Sequence, residues 1–245
     1  MSTLLLRLAG PLQSWGYRSR FSDRDTGMEP TKSGVVGLLC CAAGRPRCES
    51  PGDLAALPMH VRVDRQGTLL KDFHTSGGGV FRGSEAYFAP TSSGAPGKNP
   101  VVTERYYLQD ASFLVALEGD DRLLSVLGEA LVNPVWPLAL GRRSCPPSMP
   151  VFVRLTGDDA KATLMSEPLR LHRRHLPARW AAEARRYVPD LSPQRLRLVL
   201  ECDKGSTAGE MRRDVPVAWR DQLSREYTVR FVREESISMV PELFS

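Results

Sequence analysis

The chain contains no Cys-x-x-Cys pair, and its five cysteines are an odd number. A disulfide framework and a structural zinc site are therefore not expected, and a reducing compartment fits. Cys40 and Cys41 are adjacent in an apolar run and read as small buried residues. No apolar stretch is long enough to span a bilayer. No secretory leader is expected either, because Leu4–Leu6 is a short apolar run closed by Gly10-Pro11. The expected location is cytoplasmic, without a membrane partner. The phosphate-loop pattern Gly-x-x-x-x-Gly-Lys-Ser/Thr is missing, and no segment repeats at a fixed period. Histidine is scarce, four in 245 residues. No obvious nucleophile or metal-ligand set stands beside them, so neither a metal nor a cofactor is expected.

What is present is moderately basic: a net charge of +5 and a pI near 9.1. That balance suits a nucleic-acid partner without requiring one. The apolar patterning predicts a buried strand over Thr3–Leu8 and a polar loop over Gln13–Glu29. A helix capped by Thr31 follows and ends near Gly44. Pro51–Leu57 reads as a helical turn. Met59–Asp64 and Thr68–His74 read as strands about a Gln66-Gly67 turn. Ser76–Pro100 is rich in glycine, serine and proline, too long for an ordinary connection, and reads as an arm. Thr103–Leu108 and Ser112–Leu117 are predicted strands. Asp120 or Asp121 caps a helix with Leu123, Leu124, Leu127, Ala130 and Leu131 on one face. A strand at Val151–Leu155 completes a β-α-β-(hairpin and arm)-β-α-β order. That order is the ferredoxin-like or RRM-like one, an α+β fold with two helices on one face of a sheet. The expected division is an RRM-like domain over 1–156, its arm at 75–105, and a smaller β-rich region over 157–245. Strands are expected there at Leu196–Glu201, Val215–Trp219 and Tyr227–Val232.

Four segments carry binding chemistry. Thr31, Lys32, Ser33, Gly34 and Gly37 put hydroxyls, a cation and glycines at a helix start, where free N–H groups and the helix dipole favour an anion. The plainer reading is a capped helix whose glycines pack on the sheet. Gln13, Ser14, Trp15, Gly16 and Arg18 lie in a loop mixing aromatics with cations, and aromatic rings stack on unpaired bases; alternatively, Trp15 caps the core. Gly141, Arg142, Arg143 and Ser144 form a loop stiffened by flanking prolines, in which arginine can pair bidentately with phosphate. Arg170–Arg186 is a basic stretch that could track a nucleic-acid backbone or form a solvated face. Lys32, His74 and Tyr106 or Tyr107 form an imaginable metal-free ribonuclease set, although a structural or RNA-stacking role for His74 is the commoner use of histidine.

The segments Arg7–Gly16, Pro30–Leu39 and Leu140–Pro146, with Asp72-Phe73-His74-Thr75 and Asp110-Ala111-Ser112-Phe113, resemble the type I-E branch of the CRISPR-associated Cas five family. They occur in the family's order and span most of residues 1–155. The resemblance implies membership of the repeat-associated mysterious protein (RAMP) group, with a thumb-like arm projecting from an RRM-like body. It implies a subunit of the Cascade complex that grips the 5′ handle of the CRISPR RNA. Its implied partners are that RNA, the Cas seven-type backbone subunits and the large PAM-recognising subunit, with target DNA touched only indirectly. The RNA-facing positions implied are Gln13–Gly16, Arg18, Thr31–Gly34, Gly37 and Gly141–Ser144, with His74 and Arg105 at the thumb's ends. The type I-C branch cuts precursor RNA itself. In type I-E a separate Cas six nuclease does so, and noncatalytic binding is the resulting expectation.

Overall fold

Seven of the eight residues of β1 (Ser2–Ala9), Thr3 to Ala9, are buried, on both sides of the sheet they enter. Their alternation divides the core. Leu4, Leu6 and Leu8 join a cluster with Val35, Val36 and Leu39 of helix α1 (Lys32–Ala42), Leu54 of the short α2 (Gly52–Ala55), and Leu124, Leu127 and Leu131 of α3 (Asp121–Val132). Leu5 points the other way, to Leu114, Ala116, Leu198 and Leu200, and to Ala160 and Leu164 of the short helix α4 (Ala160–Ser166). Period-two alternation can serve two apolar faces only where both are covered. The computed structural model describes residues 1–16, 22–78, 90–91, 93–95, 97, 99–172, 192–203, 209–219 and 225–244.

β1 lies between β7 (Ser112–Gly119) and β8 (Phe152–Thr156), antiparallel to both, and β7 pairs in turn with β4 (Met59–Arg65). The resulting order β4-β7-β1-β8, with α1 and α3 in the crossovers, is the ferredoxin-like arrangement expected from the sequence. Both helix starts carry the predicted caps. Thr31 Oγ1 accepts the Gly34 N–H, and an Asp120 carboxylate oxygen accepts those of Arg122 and Leu123. The loop expected over Gln13–Glu29 holds two short strands, β2 (Leu12–Gln13) and β3 (Asp23–Arg24). Both pair with β6 (Val101–Gln109) on one side, and β5 (Thr68–Ser76) pairs with β6 on the other. β5 and β6 are thus the two legs of a ribbon at the expected arm, paired out to Ser76 opposite Val101.

The C-terminal region continues the same sheet. β10 (Gln194–Cys202) pairs with β4, and β12 (Arg225–Met239) lies between β10 and β11 (Glu210–Trp219). The expected boundary after residue 156 therefore does not separate two sheets. Two elements there escaped sequence reading: α4, which covers the second face, and a parallel pair of β9 (Leu169–His172) with β13 (Pro241–Phe244). Of the basic stretch at 170–186, residues 173–186 lie outside the described residues. All five cysteines are free, and burial pushes the Cys40 thiol up to about 11. Among the described residues no helix is long and apolar enough to cross a membrane.

Where β4, β7 and β10 meet, the half-buried His60 accepts the Glu201 N–H on Nδ1 at 3.2 Å. The ring proton of the neutral form is thereby placed on Nε2, which faces Glu118 Oε2 at 3.3 Å. Burial, against the pull of Glu118 and Glu201, holds the imidazole below its ordinary 6.5. The neutral ring is therefore the folded form, and its contribution is fully present above pH 6.5 and lost as pH falls through that value towards the folded one. The thermal midpoint should fall between pH 7.5 and 5.5. His60→Asn, which keeps an acceptor at the Nδ1 position and does not titrate, should flatten that dependence. An unchanged profile in the variant would remove His60 from the account.

Candidate nucleic-acid interface

Three of the four flagged segments meet in space. The Ser14 N–H donates to the Leu140 carbonyl at 3.0 Å, joining the loop after β1 to the loop after α3. The contact is close enough that a Cβ added at Gly141 would overlap the Ser14 carbonyl, and Gly141 has φ +89°. Only glycine adopts that backbone freely. On the other side of Ser14, the Trp15 ring lies against α1. A Cβ at Gly34 would come within 2.7 Å of Trp15 Cε3.

The interior of this junction is satisfied by the protein itself. Gln13 is fully buried; its amide donates to the Leu8 and Ala111 carbonyls at 3.0 and 2.8 Å and accepts the Trp15 indole N–H at 3.0 Å. Ser14 Oγ donates to the Tyr106 carbonyl, and the Trp15 N–H donates to Thr26 Oγ1. Trp15 is 1 % exposed, so its face is not a platform for bases. Gln13, Ser14 and Trp15 build the junction from within instead of presenting side chains to RNA. Gly16 is exposed, and Arg18 lies outside the described residues.

The helix start also differs from the expectation. Lys32 is 3 % exposed, and its Nζ pairs with Glu201 Oε1 at 2.8 Å. Burial holds its amine below the usual lysine range despite that partner. The Lys32 N–H donates to Asp214 Oδ2 at 2.8 Å, and Asp214 is gripped through both oxygens by the buried Arg230. The anion at the α1 N-terminus is thus an internal carboxylate from β11, and the lysine read as a phosphate-facing cation is an ion-pair partner inside the sheet. A helix start attracts negative charge from wherever the fold brings it. Ser33 and Gly37 are half-buried, and nothing lies within 4 Å of a Cβ built at Gly37. The pair Lys32 and His74 is not drawn into one site by any contact among the described residues. Lys32 faces β10 and β11, whereas His74 stands on the ribbon opposite Thr103.

What this framework holds outward at the ribbon is a short surface bearing several arginines. Gly141, Arg143 and Ser144 are exposed, and Arg143 has no hydrogen-bond or ion-pair partner among the described residues. Arg24, which sequence reading passed over, is exposed beside them, its carbonyl accepting from Arg142 at 2.6 Å. Arg105 is half-buried on β6, its Nε donating to Thr103 Oγ1 at 3.2 Å. Arg142 is half-buried, its guanidinium 4.8 Å from the Tyr107 ring centroid.

A β-α-β-β-α-β sheet with a ribbon inserted before its third strand, and a glycine-arginine loop locked against its first, defines a RAMP-type protein. The family described as CRISPR-associated protein (Cas_Cas5) matches residues 3–233, and the chain belongs to that family. The chain is 36% identical over 185 residues to the CRISPR system Cascade subunit CasD of Escherichia coli (strain K12), a match covering 69% of this chain and 78% of that one. A chain of a solved CRISPR RNA-guided surveillance complex superposes with a TM-score of 0.77 at 33% identity, covering 97% of this chain and 91% of that one. A solved Cas protein superposes with a TM-score of 0.61 at 40% identity, covering 98% of both chains.

Proposed function

We propose that the chain is the noncatalytic RNA-binding subunit of a type I-E CRISPR Cascade surveillance complex. It holds the 5′ handle of the CRISPR RNA and contacts the adjacent backbone and large subunits in antiviral defence. One observation carries the reading: the segments at 13–16 and 140–144, far apart in sequence, are locked together at the root of the ribbon and hold Arg143, Ser144 and Gly16 outward. Backbone groups of glycines and an exposed arginine with no ion-pair partner among the described residues suit phosphates at a single-stranded end, where RNA sequence is normally read. The likeness to a CasD subunit and to a chain of a surveillance complex supports the assignment to that assembly.

Among the described residues the binding surface brings cations together without an acid and base set beside them, which supports a binder over a nuclease. Lys32, the cation of the alternative ribonuclease set, is neutralised by Glu201. Repeat RNA incubated with the purified protein in EDTA should remain intact. Cleavage abolished by His74→Ala would replace the noncatalytic reading with the nuclease one.

Arg143→Ala should weaken binding of a single-stranded handle RNA about tenfold, the loss of one charge-assisted phosphate contact. It should also reduce the slope of log affinity against log salt by about 0.7, the value for one phosphate on a single strand. Filter binding over a series of salt concentrations measures both, and an unchanged affinity and slope would exclude Arg143 as a phosphate ligand.

A further inference from the structure

The two arginines of the Gly-Arg-Arg-Ser loop are chemically alike and structurally opposite. Arg142 Nη1 donates to the Tyr106 carbonyl at 3.2 Å; its Nη2 donates to the Arg24 carbonyl at 2.6 Å and to the Asp25 carbonyl at 3.3 Å. One face of the guanidinium lies over the Tyr107 ring at 4.8 Å, and Tyr107 is itself buried. Three of its five N–H donors go to backbone oxygens, and a ring covers one of its faces. The three carbonyls belong to β6 and to the β3 region, and the arginine itself to the loop after α3. A planar fork of fixed donors can hold three such segments at one spacing, whereas a lysine's point charge cannot. Arg143, the next residue, faces solvent.

We propose that Arg142 is a positioning residue for RNA, and that Arg143 alone of the pair is the phosphate ligand. Arg142 fixes the distance between the loop at 141–144, the segment at 24–25 and the ribbon strand β6, and so sets where the RNA-facing groups stand. The inference rests on the reading of the chain as an RNA-binding subunit. It separates two residues that the sequence offers as equivalent.

The test is salt-dependent binding of a single-stranded 5′-handle RNA to the full chain, measured well below each variant's unfolding temperature. Arg142→Ala and Arg142→Lys should both lose roughly tenfold in affinity, because the loop at 141–144 is no longer held at its spacing from β6 and residues 24–25. Both should keep the wild-type salt slope, because no phosphate contact is removed. Tyr107→Leu, which leaves every cation in place, should behave the same way. Restoration of wild-type affinity by Arg142→Lys would make Arg142 a phosphate ligand and overturn the proposal. A slope reduced in Arg142→Ala as much as in Arg143→Ala would do the same, with the RNA-binding reading left standing. If Arg142→Ala does not fold, Tyr107→Leu decides: wild-type affinity in that variant overturns the positioning role. Failure of the wild-type chain to bind the RNA at any salt concentration would instead remove the RNA-binding reading itself, and the inference with it.

Discussion

Asp214→Ala should lower the unfolding free energy by about 3–5 kcal/mol, the cost of leaving a buried charge without its partner. Asp214 is 6 % and Arg230 5 % exposed, and the arginine holds both carboxylate oxygens, at 2.8 and 2.9 Å. The same carboxylate accepts the Lys32 N–H at the start of α1. Its removal strands a guanidinium inside the sheet and a helix N–H without an acceptor. Glu201, which accepts from Lys32 Nζ and from the Met59 N–H, stays in place, and Arg230 lies only 3.4 Å from it, which sets the lower end of the range. Burial opposes ionisation of Asp214, but the Arg230 hydrogen bonds and charge outweigh it and hold the carboxyl below its ordinary 3.8. The stability it supplies is thus present above pH 3.8 and lost as pH falls through the folded value. Urea unfolding at neutral pH measures the effect. A change below about 1 kcal/mol, the range of exposed ion pairs, would show that the cluster is not closed as described.

Gly141→Val should cost about 2–4 kcal/mol and abolish handle binding measured at a temperature where the variant is still folded. Two effects combine. A β-branched residue at φ +89° sits in a region such side chains avoid, at a cost of about 1–3 kcal/mol. The added Cβ would also overlap the Ser14 carbonyl, so one of the two loops must move, at a further cost on the order of 1–3 kcal/mol. Partial relief of one by the other keeps the sum in the lower half of the combined range. Movement of either loop breaks the Ser14 to Leu140 hydrogen bond and displaces Arg143. Gly37→Ala is the matched control for stability, because nothing lies within 4 Å of a Cβ there and helical alanine is favoured by roughly 1 kcal/mol. Thermal unfolding and RNA binding of the two variants side by side check the contrast. A Gly141→Val protein with wild-type affinity would mean that the junction does not shape the binding surface.

Much of the fold is readable locally because short-range rules act where the chain obeys them. The Thr31 and Asp120 caps, the spacing of Leu124, Leu127 and Leu131, and the alternation along β1 each identify an element and its buried face. The motifs at 13–16 and 140–144 were recognisable as a pair only through resemblance. Their contact is a consequence of β1 and β8 being sheet neighbours. Lys32 marks where local reading fails. Its residue type at a helix start suggests an anion site, and the site exists, but the anions that fill it are Glu201 and Asp214, 169 and 182 residues away. Trp15 fails for a related reason: whether an indole in a polar loop faces solvent depends on whether Gln13 and Gly34 are there to receive it. Helix α4 is short, and its apolar residues carry too little pattern to announce it. The extension of the first sheet by β10–β12 is a long-range pairing that no local signal encodes.

RNA is expected to lie on the surface built where the loops at 13–16 and 140–144 meet the ribbon root. Ultraviolet cross-linking of a 5′-handle RNA to the full chain, followed by peptide mapping, tests it most directly. Cross-links should fall on peptides containing Gly16, Arg24, Arg105 and Arg143–Ser144. Cross-links confined to the strands between 192 and 244, with none on those peptides, would contradict it.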